Sequence, residues 1–72
     1  MILRILAVGD VVGAPGLTFL TERLRAFQEQ EHIDFTVVNG ENANGVGILP
    51  RQADLIFDAG ADVITLLSLI HI

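Results

Sequence analysis

Val37-Val38-Asn39-Gly40-Glu41-Asn42-Ala43-Asn44-Gly45 is the stretch whose reading decides the fold. An apolar run breaks off into a carboxylate and amides set among glycines. That is how a buried strand delivers polar groups to the rim of a sheet. The same plan stands upstream, where residues 2–8, apolar but for Arg4, read as a buried strand leading into Gly9-Asp10, and it begins a third time at Asp62-Val63-Ile64-Thr65-Leu66.

Between these runs the apolar period changes. Leu17, Leu20, Leu24 and Phe27 fall at helical spacing with Glu22, Arg23, Gln28 and Glu29 on the other side, which predicts an amphipathic helix over 17–31 ending near His32. Residues 34–38 form the second predicted strand. A second helix opens at Pro50, a residue suited to the first helical position, and runs to Ala59 with Ala53, Ile56, Phe57 and Leu55 as inward candidates. Gly60 sits where a helix commonly ends. Leu49 is a poor N-cap, a loss of roughly 0.5–2 kcal/mol relative to Ser, Thr, Asp or Asn. The order β-α-β-α-β with short connections implies a parallel sheet with right-handed crossovers. Every strand then ends on one edge, so Asp10 and Glu41-Asn42 are expected to meet there despite their separation in sequence.

Composition bounds the rest. A chain of 72 residues is one small domain at most, and its hydrophobic share of 51% against 18% charged residues excludes disorder. So apolar a short chain suggests part of something larger. A formal charge of −5 gives no basic footprint for nucleic acid. The absence of Cys excludes disulfides and thiolate metal sites. The apolar N-terminus runs straight into Gly9-Asp10 without a cleavage pattern, and no stretch approaches the roughly 20 apolar residues of a bilayer span. A cytoplasmic protein with no membrane partner is the expectation.

The first loop, Gly9-Asp10-Val11-Val12-Gly13-Ala14-Pro15-Gly16, excludes several chemistries. Val11 stands where a dinucleotide fingerprint needs glycine, and no Lys-Ser/Thr pair follows to make a phosphate-binding P-loop. Val11 also replaces an esterase nucleophile, and Val12 the second Asp of a phosphoaspartate phosphatase. What survives is a lone carboxylate at a strand end, either a metal ligand or an Asp bonded to nearby loop N–H groups. Glu41-Asn42 is more specific, because adjacent carboxylate and carboxamide oxygens are hard donors suited to Mg, Mn or Fe. The competing account is an Asn/Gly-rich turn in which Asn39, Asn42 and Asn44 tolerate left-handed conformations. That account explains the asparagines and glycines but not a Glu at a largely apolar rim. His32, Asp34, Asp54, Asp58 and Asp62 read as surface or capping residues.

Taken together, residues 5–16, Asp34-Phe35-Thr36-Val37-Val38-Asn39-Gly40-Glu41-Asn42-Ala43 and Phe57-Asp58-Ala59-Gly60-Ala61-Asp62-Val63-Ile64-Thr65-Leu66 resemble the start of the YmdB-like metallophosphoesterases. The resemblance implies the N-terminal portion of a calcineurin-like α/β/β/α sandwich with a dinuclear iron or manganese centre. It implies phosphodiesterase activity on small phosphoesters such as 2′,3′-cyclic nucleotides, with no stable nucleic-acid partner and homo-oligomerisation left open. By position, Asp10 corresponds to a ligand of the first metal, Glu41 to the carboxylate bridging both, and Asn42 to a further ligand of the first. Val12 agrees with this subfamily's lack of an Asp-x-His opening. The mechanism implied is two-metal hydrolysis, in which the ions orient the phosphate, acidify a water and stabilise the in-line transition state.

The departure is as informative. After Leu66 the family continues Gly-Asn-His, giving a ligand of the second metal and the proton-donating His. Here the chain reads Leu67-Ser68-Leu69-Ile70-His71-Ile72, with His71 out of register, so no catalytic residue is expected within it. Those six residues also translate CTG TCT CTT ATA CAC ATC, the end of a transposase-based sequencing adapter. The expected division is therefore 1–66 as part of a metallophosphoesterase domain and 67–72 as an artefactual tail, the chain itself being inactive. The alternative is a small non-catalytic α/β interaction module. Against it stands an apolar third strand with no helix following to cover it, which predicts aggregation.

Overall fold

The computed structural model describes residues 2–45 and 47–66. Its elements are β1 (Ile5–Val8), α1 (Gly13–Glu31), β2 (Phe35–Asn39), α2 (Pro50–Ala59) and β3 (Val63–Thr65). The strands form one parallel sheet in the order β1-β2-β3. Val8 stands beside Val38, which stands beside Ile64, and Asn39 stands beside Thr65. The β-α-β-α-β order and the parallel pairing are those expected from the sequence. The artefactual-tail expectation and His71 lie outside the described residues.

Consecutive parallel neighbours joined by crossovers of one hand place both helices on one face of the sheet, and α1 and α2 pack against each other there. Val11, Leu17, Leu20, Leu24, Val38, Ile56 and Ala61 form the core, with Leu6, Val8, Ile48 and Ile64 packed around them. Val38 and Ile56 are completely buried. By strand alternation the opposite face carries Ile5, Ala7, Phe35, Val37 and Val63. It is uncovered: Ile5 is 63% exposed, Phe35 41% and Val63 40%. The first strand is therefore covered on one face, where its unbroken apolar run predicts cover on both.

Element boundaries depart from the sequence reading for identifiable reasons. β1 begins at Ile5, and Ile2 and Leu3 lie exposed ahead of it. β2 is shifted by one residue to end at Asn39. α1 begins at Gly13, four residues before the predicted start, through a stretch whose Gly and Pro read as a loop. Pro15 falls in the first turn, where a missing N–H costs nothing, and the Gly13 N–H donates to the Asn42 carbonyl at 3.1 Å. At the other end His32 adopts the left-handed conformation (φ 54°), and Ile33 N donates to Gln28 O at 2.9 Å, closing a Schellman motif.

α2 ends at Gly60 with φ 133°, as its glycine predicts. Its inward residues differ from the expectation: Ile56 and Gln52 are buried, whereas Leu55 and Phe57 are about half exposed, and so is Phe27 of α1. No helix among the described residues is long and apolar enough to cross a membrane.

Candidate metal centre

Parallel register carries the ends of β1 and β2 to the same edge, and the two loops that follow are stapled together there by backbone. Val11 N donates to Asn39 O at 3.1 Å and Gly13 N to Asn42 O at 3.1 Å, while Gly40 N reaches across to Thr65 O at 3.0 Å. The staples align Asp10, two residues beyond β1, with the segment beginning two residues beyond β2. The Asn42 amide donates from Nδ2 to Asp10 Oδ2 at 2.8 Å, closing 32 residues of sequence into one contact. Asp10 and Asn42 are thus brought together as the topology predicts, with Glu41 adjoining Asn42 in the chain.

Glu41 is set by its own neighbours. Its backbone N–H donates to Asn39 Oδ1 at 3.1 Å, and Asn39 Nδ2 donates to Glu41 Oε1 at 3.2 Å. Gly40 is buried, and a Cβ there would lie 2.9 Å from Ile64 Cγ2 and 3.1 Å from Ile48 Cδ1. Glycine at this position lets the chain leave β2 flush against the core before turning out to Glu41. Beyond Glu41, Ala43 is buried, and its N–H donates to Gly40 O at 3.2 Å.

A buried helical side chain supports this loop from beneath. Gln52 donates from Nε2 to the Ala43 carbonyl at 3.3 Å and accepts the Leu49 N–H at 2.8 Å through Oε1. The second bond is half of a capping box, so the poor N-cap at Leu49 is compensated from the third helical position. The spacing from Leu49 to Gln52 was a sequence signal for this role that the apolar pattern obscured.

Residues 41–44 do form a turn, but its asparagines are not at left-handed positions. His32 is the only non-glycine among the described residues with positive φ. Asn39, Asn42 and Asn44 therefore do not stand at left-handed positions, and Asn39 and Asn42 instead direct side-chain hydrogen bonds at Glu41 and Asp10. The required left-handed freedom falls on Gly13 (φ 64°) and Gly45 (φ 86°).

In donor chemistry the oxygens of Asp10, Glu41 and Asn42 are of the hard type that suits a hard cation. Among the described residues no group of three or more His, Cys, Asp or Glu side chains comes together to hold a metal. His32 lies at the C-terminal end of α1, away from this edge.

A family model described as YmdB-like protein matches residues 6–70. The chain is 38% identical over 65 residues to a 2′,3′-cyclic-nucleotide 2′-phosphodiesterase of Bacillus subtilis, covering 89% of this chain and 25% of the relative. Among solved structures, a hypothetical protein from Thermus thermophilus matches with a TM-score of 0.81 and 34% identity, over 89% of this chain and 25% of that one. A novel phosphatase of Mycoplasma pneumoniae matches with the same TM-score of 0.81 at 24% identity, over 86% of this chain and 22% of that one, which supports the fold alone. The chain thus spans about a quarter of the length of the relatives it matches. A family match running from the first strand past the third, over a β-α-β-α-β unit that superposes on these structures, establishes that the chain belongs to the YmdB-like protein family.

Proposed function

We propose that this chain is the N-terminal part of a metal-dependent phosphodiesterase that hydrolyses small phosphoesters such as 2′,3′-cyclic nucleotides. The observation that carries the proposal is the contact between Asn42 and Asp10 across two strand ends, with Glu41 next to Asn42 in the chain. The similarity to a cyclic-nucleotide phosphodiesterase supplies the reaction class.

Asp10 and Asn42 would hold a first cation, and Glu41 would share its carboxylate between that ion and a second, iron or manganese in either place. When bound, such ions orient the phosphate, acidify a water and neutralise the charge that develops on the transferring group. The chain's own residues support a cation here. Two carboxylates at one rim repel a phosphate anion, so a phosphoester can dock there only across positive charge. The Asn42 to Asp10 hydrogen bond fixes the second Asp10 oxygen relative to Asn42, and Asn39 fixes one oxygen of Glu41. Both arrangements limit how many orientations the donors must lose on binding.

In this reading the proton donor and the second metal's remaining ligands come from the longer protein, as the resemblance implies, and the 72-residue chain is expected to be inactive alone. A cytoplasmic enzyme with no stable nucleic-acid partner completes the reading. Expressing the full-length gene product with Mn or Fe and assaying 2′,3′-cyclic AMP tests it. Metal-dependent hydrolysis abolished by Glu41→Ala is expected. Full activity after that substitution, or hydrolysis indifferent to metal, overturns it.

A further inference from the structure

Asn39 ends β2 and is held on several sides. Its carbonyl accepts the Val11 N–H at 3.1 Å, and its register partner across the sheet is Thr65. Its side chain reaches forward and grips Glu41 twice, through Oδ1 at the backbone N–H (3.1 Å) and through Nδ2 at the carboxylate Oε1 (3.2 Å). The first contact is an Asx turn, which Asp or Ser can also make. The second is not required by the turn, and only a side chain carrying both an acceptor and a donor can supply the two together.

We propose that Asn39 is a positioning residue for the metal centre, acting through Glu41: its amide N–H fixes the rotamer of the carboxylate so that the other oxygen faces the ions. The proposal rests on the reading of Glu41 as a metal ligand. The strand end, anchored to the loop after β1 and paired with β3, transmits its position to the Glu41 carboxylate. Groups that hydrogen-bond a metal-ligating carboxylate in this way typically govern affinity by 10–100-fold.

Asn39→Asp separates this role from a structural one. It is isosteric, keeps the acceptor for the Glu41 N–H, and replaces the donor facing Oε1 with an oxygen. The experiment titrates Mn2+ alone into the full-length protein, following the ion by its electron paramagnetic resonance signal, for wild type, Asn39→Asp, Glu41→Gln and the double variant. Amide exchange at Ala43 and Gly45 in the metal-free proteins reports whether the loop is intact, since both N–H groups are hydrogen-bonded within it.

The expected result is a loss of Mn2+ affinity of about tenfold or more in Asn39→Asp with loop exchange unchanged, and no further loss when it is added to Glu41→Gln. An affinity within twofold of wild type overturns the proposal, and so does an equal loss in the Glu41→Gln background. A loss that appears only together with faster loop exchange assigns Asn39 to the turn and also overturns it. If wild type binds no Mn2+, or Glu41→Gln binds it as well as wild type, the underlying metal reading falls and the proposal with it, an outcome distinct from failure at Asn39 alone.

Discussion

Gly40 is the residue on which the geometry of the rim depends most directly. A methyl group there would lie 2.9 Å from Ile64 Cγ2 and 3.1 Å from Ile48 Cδ1, so either these side chains or the chain leaving β2 must shift. Gly40→Ala is expected to destabilise the fold by about 1–3 kcal/mol, the usual cost of overpacking, measured by urea unfolding of the full-length protein. A stability equal to wild type would mean that Glu41 is not placed by close packing. Asn42 belongs to the same scale. Asn42→Asp sets a carboxylate where an amide now donates to Asp10, so it is expected to weaken Asp10's placement and raise the Mn2+ concentration needed for activity. An unchanged metal requirement would show that the Asn42 to Asp10 bond plays no part in loading.

Residue identity made part of this legible in the sequence. Asp10 and Glu41 could be singled out because carboxylates at the ends of apolar runs are unexpected on solvation grounds, and parallel topology then brings the strand ends together. Asn39 and Gln52 could not be singled out in the same way. Their roles depend on which backbone groups lie within reach, and composition does not encode that. The asparagines were open to a left-handed reading because Asn tolerates that backbone, and the φ angles decide against it while the turn itself stands.

At the scale of elements, α2 is tied to the site through Gln52 rather than through its apolar stripe. Gln52→Leu removes the acceptor for Leu49 N–H and the donor to the Ala43 carbonyl, leaving a buried carbonyl unpaired. A loss of about 1–3 kcal/mol is expected by thermal or urea unfolding. Gln52→Glu keeps the capping bond and should recover part of that loss, and no difference between the two variants would contradict the capping role. The start of α1 shows why boundaries were the least legible feature. Gly13, Pro15 and Gly16 have poor helix propensity, and the turn they form with Ala14 is completed by the Asn42 carbonyl, a partner far away in sequence.

For the whole molecule, the asymmetry of cover is decisive. One face of the sheet packs on α1 and α2, and the other leaves Ile5, Phe35 and Val63 open to water. The free edge of β1 adds unpaired backbone to that apolar face. The 72-residue chain alone is therefore expected to bind a hydrophobic dye, elute as aggregates on size exclusion, and melt without a cooperative transition. A monodisperse, cooperatively melting chain would contradict this and favour a self-sufficient interaction module.

The central claim is that Asp10, Glu41 and Asn42 hold metal ions. Crystals of the full-length protein grown with Mn2+ and measured at the manganese absorption edge test it most directly. The account predicts two anomalous peaks, one bounded by Asp10 and Asn42, with the Glu41 carboxylate reaching both. Peaks that lie elsewhere, with these three side chains out of coordination range, would contradict it.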